Sequence, residues 1–174
     1  MGIFQRLFGQ QAANPTLRFP PRRLSFCLTW DSHTHRLNGI PLGAPLEDLA
    51  PLGPCDEFKA VNEHFSVFTY LSLGLEVSMG FNGLSYIEFF LENDNPDDVP
   101  AGMRCARPFI EPGGVELTPE TSPHDLTEYF GEPEAGSQSD AEIVVLYRSR
   151  SILYELCVSH SGRLKGFIIS DEDL

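Results

Sequence analysis

The chain has 174 residues, 41% of them hydrophobic, and 25 acidic against 12 basic side chains leave a net charge of −13. That length can bury a real core and lies near single-domain size, while 15 glycines and 14 prolines forecast many loops. No apolar run approaches the roughly 20 residues that span a bilayer, and an acidic body repels nucleic acid and anionic lipid, so neither integral membrane association nor nucleic-acid binding is expected.

The charge is uneven. Residues 1–36 hold five basic side chains against Asp31 alone, residues 37–103 hold eleven acidic ones against Lys59, and residues 104–174 hold thirteen acidic against six basic. Such a body associates faster with a basic partner; the simpler reading is that acidity only keeps the protein soluble.

Residues 1–23 read as an N-terminal extension. Ile3, Phe4, Leu7 and Phe8 have helical spacing around Arg6, but Pro15, Pro20 and Pro21 break any helix that follows. The segment is a frayed terminus or a flap over the core, or else a docking foot. Met1 to Phe8 lacks the apolar segment and cleavage site of a secretory signal, and Arg6 stands where a myristoylation site carries Ser or Thr, so a cytoplasmic location is expected.

Leu24 to Trp30 alternates, with Leu24, Phe26, Leu28 and Trp30 on one face, and predicts a half-buried strand. Ala44-Pro-Leu-Glu-Asp-Leu-Ala-Pro-Leu-Gly-Pro54 follows as a helical turn or two, limited by Pro51. Phe65–Leu71, Leu75–Met79 and Leu84–Leu91 give three strands, with Leu73-Gly74 and Asn82-Gly83 as turns, the second favouring a tight hairpin. In the last of these strands Tyr86 and Phe90 face away from Ile87, Phe89 and Leu91. It is apolar on both sides apart from Glu88, as a covered strand or an interface would be.

Asn93 to Gly102 is a polar, proline-rich connection. Ser122-Pro-His-Asp-Leu-Thr-Glu-Tyr-Phe-Gly-Glu-Pro133 then repeats the earlier helical stretch. Here Ser122 is an N-cap, Pro123 takes the first helical position, Asp125 has capping-box spacing and Gly131 can end the helix. Ile143–Tyr147, Ile152–Val158 and Leu164–Ile169 give three more strands, with turns at Arg148–Ser151 and Ser161-Gly162. Leu75-Glu76-Val77 corresponds to Tyr154-Glu155-Leu156, and Asn82-Gly83 to Ser161-Gly162.

These correspondences predict an α+β fold of two tandem repeats, each a short helix plus an antiparallel meander, related by a pseudo-twofold and sharing one core. The units run over residues 24–95 and 113–170, with residues 96–112 as linker. Asn38-Gly39-Ile40 with Asp48 to Pro54, and Val115 to Leu117 with Asp125 to Pro133, resemble the repeat of the beta-lactamase-inhibitor-protein-like and SmpA/OmlA-like families. The resemblance implies a protein that binds another protein through a concave sheet and does no chemistry. The chain departs from those exported families in lacking their signal peptide or lipid-attachment cysteine.

No catalytic residue, cofactor or metal ligand set is assigned. Asp31, His33 and His35 alternate and would share a face on an extended backbone, but read better as a polar turn. Ser159-His160-Ser161-Gly162 lacks a nucleophile elbow and reads as a hairpin turn. Cys27, Cys55, Cys105 and Cys157 are too scattered for zinc or a redox motif and are expected to be reduced and mostly buried. Glu76 and Glu155, at equivalent strand positions, would approach each other across the pseudo-twofold; with Tyr86 and Tyr154 they are the candidate binding residues.

Two functions follow. The first is a non-enzymatic protein-binding module, an inhibitor or immunity protein that neutralises a basic toxin or enzyme. The alternative is a small-molecule-binding or hydrolytic protein using the groove between the repeats, with Glu76, Glu155, His33 or His35 involved.

Overall fold

A computed structural model of the protein describes residues 13–23, 26–92, 100–139 and 142–173. The fold is α+β with strands dominating. Helical structure among these residues is limited to short 3₁₀ turns and one α-helical turn, α1 (Thr127–Phe130).

The first sheet is built from short strands β1 (Thr29–Asp31), β2 (Arg36–Leu37), β3 (Ile40–Pro41), β8 (Phe109–Glu111) and β9 (Val115–Glu116), in the order β3-β2-β1-β8-β9. The second contains β4 (Glu57–Ala60), β5 (Ser66–Tyr70), β6 (Leu75–Gly80), β7 (Gly83–Phe90), β10 (Ala135–Gln138), β11 (Ile143–Ser149), β12 (Ile152–Val158) and β13 (Leu164–Asp171). Its order is β10-β11-β12-β13-β7-β6-β5-β4, antiparallel throughout. Two four-stranded meanders therefore meet where β13 pairs β7.

The core fills the inner face of the large sheet. Val77, Ile87, Phe89, Tyr154, Leu156, Phe167 and Ile169 alternate inward and are fully buried. Trp30, Leu37 and Ile110 of the small sheet meet them in one cluster, as do Leu49, Leu52, Leu126 and Phe130 from the helical turns. Stacked rings bridge the meeting of the two meanders. Phe130 lies 4.4 Å from Tyr154, centroid to centroid, and Phe167 lies 5.9 Å from Phe89.

The helical stretches form as their end signals predict. The 3₁₀ turn Leu46–Leu52 contains Pro51, buries Leu49 and Leu52, and stops at Gly53 with φ 73°. In the second, the His124 N–H donates to Ser122 Oγ and the Ser122 N–H to Asp125 Oδ2, each at 3.2 Å. That capped turn leads into α1, which ends at Gly131 with φ 82°.

Several expectations are corrected. The segment from Leu24 forms a strand only from Thr29, although Leu28 and Trp30 do point inward and Phe26 packs on the core; Leu24 lies outside the described residues. Phe109–Glu111, expected in the linker 96–112, is β8, paired parallel to β1. The edge strands β4 and β10 have no apolar alternation to announce them. The β6–β7 hairpin closes over Phe81 and Asn82 instead of Asn82 and Gly83, because Gly80 pairs Gly83. Pro15, expected to break a helix, opens a 3₁₀ turn (Pro15–Arg18) capped by Asn14, with Thr16 buried against Cys55. Residues 14–19 thus pack as a flap, while Met1 to Phe8 lies outside the described residues. Of the thiols, Cys27 and Cys105 are exposed, against the expectation that most are buried.

Candidate functional site

The outer face of the large sheet carries the chemistry. Side chains at paired positions stand in one row, and the register sets that row as Leu146 (β11), Glu155 (β12), Ile168 (β13), Glu88 (β7), Glu76 (β6) and Thr69 (β5). The next row holds Leu153, Ser170, Tyr86 and Ser78. Through this stretch inward and outward residues alternate, so Ile87, Phe89, Tyr154 and Leu156, pointing inward, turn Glu88 and Glu155 outward. Glu76, Tyr86, Glu88, Leu153, Glu155, Cys157 and Ile168 are all half-buried.

Glu76 and Glu155 therefore share a face, with Tyr86 beside them. They do not meet. Three strand spacings separate β12 from β6, about 14 Å at ~4.8 Å each. The carboxylate that does lie directly opposite Glu76 is Glu88, the one acid in a largely apolar strand and absent from the predicted binding residues. Its signal was there: a lone acid in a run of Tyr, Ile, Phe and Leu is costly unless it works or is partnered. Tyr154 is corrected. It points to the opposite face, fully buried, stacked on Phe130, and takes no part in this surface.

Glu88 and Glu76 are each held by a hydroxyl. Tyr86 donates to Glu88 Oε2 at 2.9 Å, and Thr69 donates to Glu76 Oε2 at 3.0 Å. Burial pushes the Glu88 carboxyl above its ordinary value; Tyr86's donation opposes this, and the charges of Glu76, Glu142 and Glu155 add to it. Burial raises Glu155 in the same direction. The Cys157 thiol is pushed up to about 12, first by burial and then by Glu142, Glu88 and Glu155, so it is a protonated, unreactive thiol. Lys165 is the nearby cation, 3.8 Å from Glu142. The face is a partly desolvated negative patch with apolar ground between its charges.

The Asp31–His33–His35 candidate resolves into a turn. Asp31 Oδ1 accepts from the N–H groups of His33 and Thr34, each at 2.9 Å. His35 turns inward, with Nδ1 2.9 Å from the Tyr154 hydroxyl. Among the described residues no three His, Cys, Asp or Glu side chains converge as a metal site would. Nor is any helix there long and apolar enough to cross a membrane. Ser159 to Arg163 closes the β12–β13 hairpin, with Gly162 at φ 86°.

No family model matches the sequence, and no curated protein matches it. Among solved structures the chain is similar to a DUF4309 family protein (YjgB) from Bacillus subtilis, at 14% identity and a TM-score of 0.48, over 78% of this chain and 84% of that one.

Proposed function

We propose that the protein acts by contact, binding a basic partner protein on the outer face of the large sheet, as an inhibitor or immunity protein in the cytoplasm would. One observation carries this reading. Glu155, Glu88 and Glu76 stand in a single cross-strand row on a half-buried face that also carries Leu146, Leu153 and Ile168. A partially desolvated carboxylate is stabilised by a cation that replaces the lost water, and the apolar side chains between supply area for a hot spot. A net charge of −13 would steer such a partner to the surface.

We further propose that two tandem repeats related by a pseudo-twofold present this face. The matching order of a glycine-ended helical turn followed by four strands in each half supports it.

The test is a pull-down from the native cells at low salt, with wild type and a Glu76→Gln, Glu88→Gln, Glu155→Gln triple variant. The expected result is a basic protein retained by wild type, lost as salt rises, and retained at least about a hundredfold less by the variant, at ~1–2 kcal/mol for each charge-assisted contact. Recovery of no specific partner, or equal recovery by the variant, overturns the proposal.

A further inference from the structure

A second site lies away from the acidic face, in a cleft between the β2–β3 segment and the ends of β12 and β13. Its walls include Thr34, His35, Leu42, Arg150, Ile152 and Asp171, around a cavity of about 230 Å3, room for roughly seven or eight waters. Two lining residues, His35 (φ 54°) and Arg150 (φ 60°), hold left-handed backbone without being glycine. Such conformations cost free energy and gather where a side chain must be aimed.

The back of the cleft is built. Tyr154 is fully buried, and burial pushes its phenol up, so it stays protonated. Its hydroxyl lies 2.9 Å from His35 Nδ1. Burial, then the charge of Arg150, lowers His35 against the pull of Asp31 and Asp171, so the imidazole is neutral. Either atom of that pair can be the donor; where the phenol donates to Nδ1, the neutral ring carries its own proton at Nε2. In that tautomer the cleft presents His35 Nε2–H beside the Arg150 guanidinium, its cationic group. Opposed to them in charge is the Asp171 carboxylate, of which Oδ1 is engaged by the Asp173 N–H at 3.0 Å.

We propose that this cleft binds a free α-amino acid with an apolar side chain. A simple anion would suit Arg150 and be repelled by Asp171; a simple cation would meet the reverse. A zwitterion satisfies both: its carboxylate on the Arg150 fork and His35 Nε2–H, its ammonium on Asp171, its side chain against Leu42 and the buried Ile152. A peptide terminus offers only one of the two charged groups. The site does not depend on the partner-binding reading above.

The test follows the His35 ring protons by NMR while leucine is titrated into wild-type protein, with leucinamide and N-acetylleucine as blocked analogues. The expected result is a saturable shift with leucine in the millimolar range and affinities at least about tenfold lower for both analogues. Arg150→Gln and Asp171→Asn, checked for folding by circular dichroism, lose affinity by a similar factor, while Lys59→Gln, on the exposed edge strand β4, leaves it unchanged. No saturation by leucine, or N-acetylleucine binding as tightly as leucine, overturns the proposal, and both readouts use the unmodified protein.

Discussion

At the scale of single residues, Glu88 shows how a strand's position in a sheet sets its chemistry. Its backbone neighbours Ile87 and Phe89 are fully buried inward, so the carboxyl is forced outward onto ground half-covered by Tyr86 and the adjoining strands. Burial raises its proton affinity above the ordinary 4.5. In the folded state it then holds its proton over a range where the unfolded chain has lost it. The stability this represents is complete below 4.5 and is lost as pH rises through the folded value. Wild type should therefore melt at higher temperature as pH falls from neutrality toward 4.5. Glu88→Gln, with no proton to lose, should flatten that slope, Glu155 accounting for part of what remains. Differential scanning calorimetry across that range checks it; an unchanged slope in the variant removes Glu88 as the cause.

Individual elements here are short, and their placement depends on close backbone contact. The chain before the Leu46–Leu52 turn docks on β7, with the Gly43 N–H donating to the Leu84 carbonyl at 2.8 Å and the Leu84 N–H to the Ala44 carbonyl at 2.9 Å. Gly83 permits this. Its φ is 107°, and a Cβ there would stand 2.4 Å from the Gly43 oxygen and 2.5 Å from that of Ala44. Gly83→Ala should cost about 2–4 kcal/mol, from backbone strain and forced separation together. Gly39→Ala, at φ 85° but with open space around it, should cost only about 1 kcal/mol. Chemical denaturation of the two variants makes the comparison, and equal losses would mean the docking contact is slack.

For the whole molecule, the β7–β13 pairing and the stacked rings of Phe89, Phe167, Tyr154 and Phe130 cross the boundary between the halves. Either half alone would leave one side of that ring stack in water and the long edge of β7 or β13 unpaired. Residues 26–92 and 104–173, expressed separately, should each be unfolded by circular dichroism, while the full chain unfolds in one cooperative transition. An independently folded half would show that the shared core is dispensable. The same architecture makes the outer sheet face continuous, so that Glu155 from one half and Glu88 and Glu76 from the other stand on one surface.

What the sequence determined by itself was local. Short runs rich in β-branched and aromatic residues between turn signals marked β5, β6, β7, β11, β12 and β13, since such side chains pack on a pleated, buried surface. Cap, proline and glycine signals marked both helical turns, because they satisfy backbone groups within a few residues. What only the tertiary structure decided was whatever depends on a distant neighbour. β4 and β10 exist because β5 and β11 offer them hydrogen bonds, and Ala135-Gly-Ser-Gln138 has no pattern of its own to declare this. Tyr154 and Tyr86 look alike in sequence, yet strand parity sends one into the core and the other to the surface. Glu76 and Glu155 were legible as acids within strands, but the order of strands places Glu88 and Ile168 between them, and that order is fixed by long-range pairing.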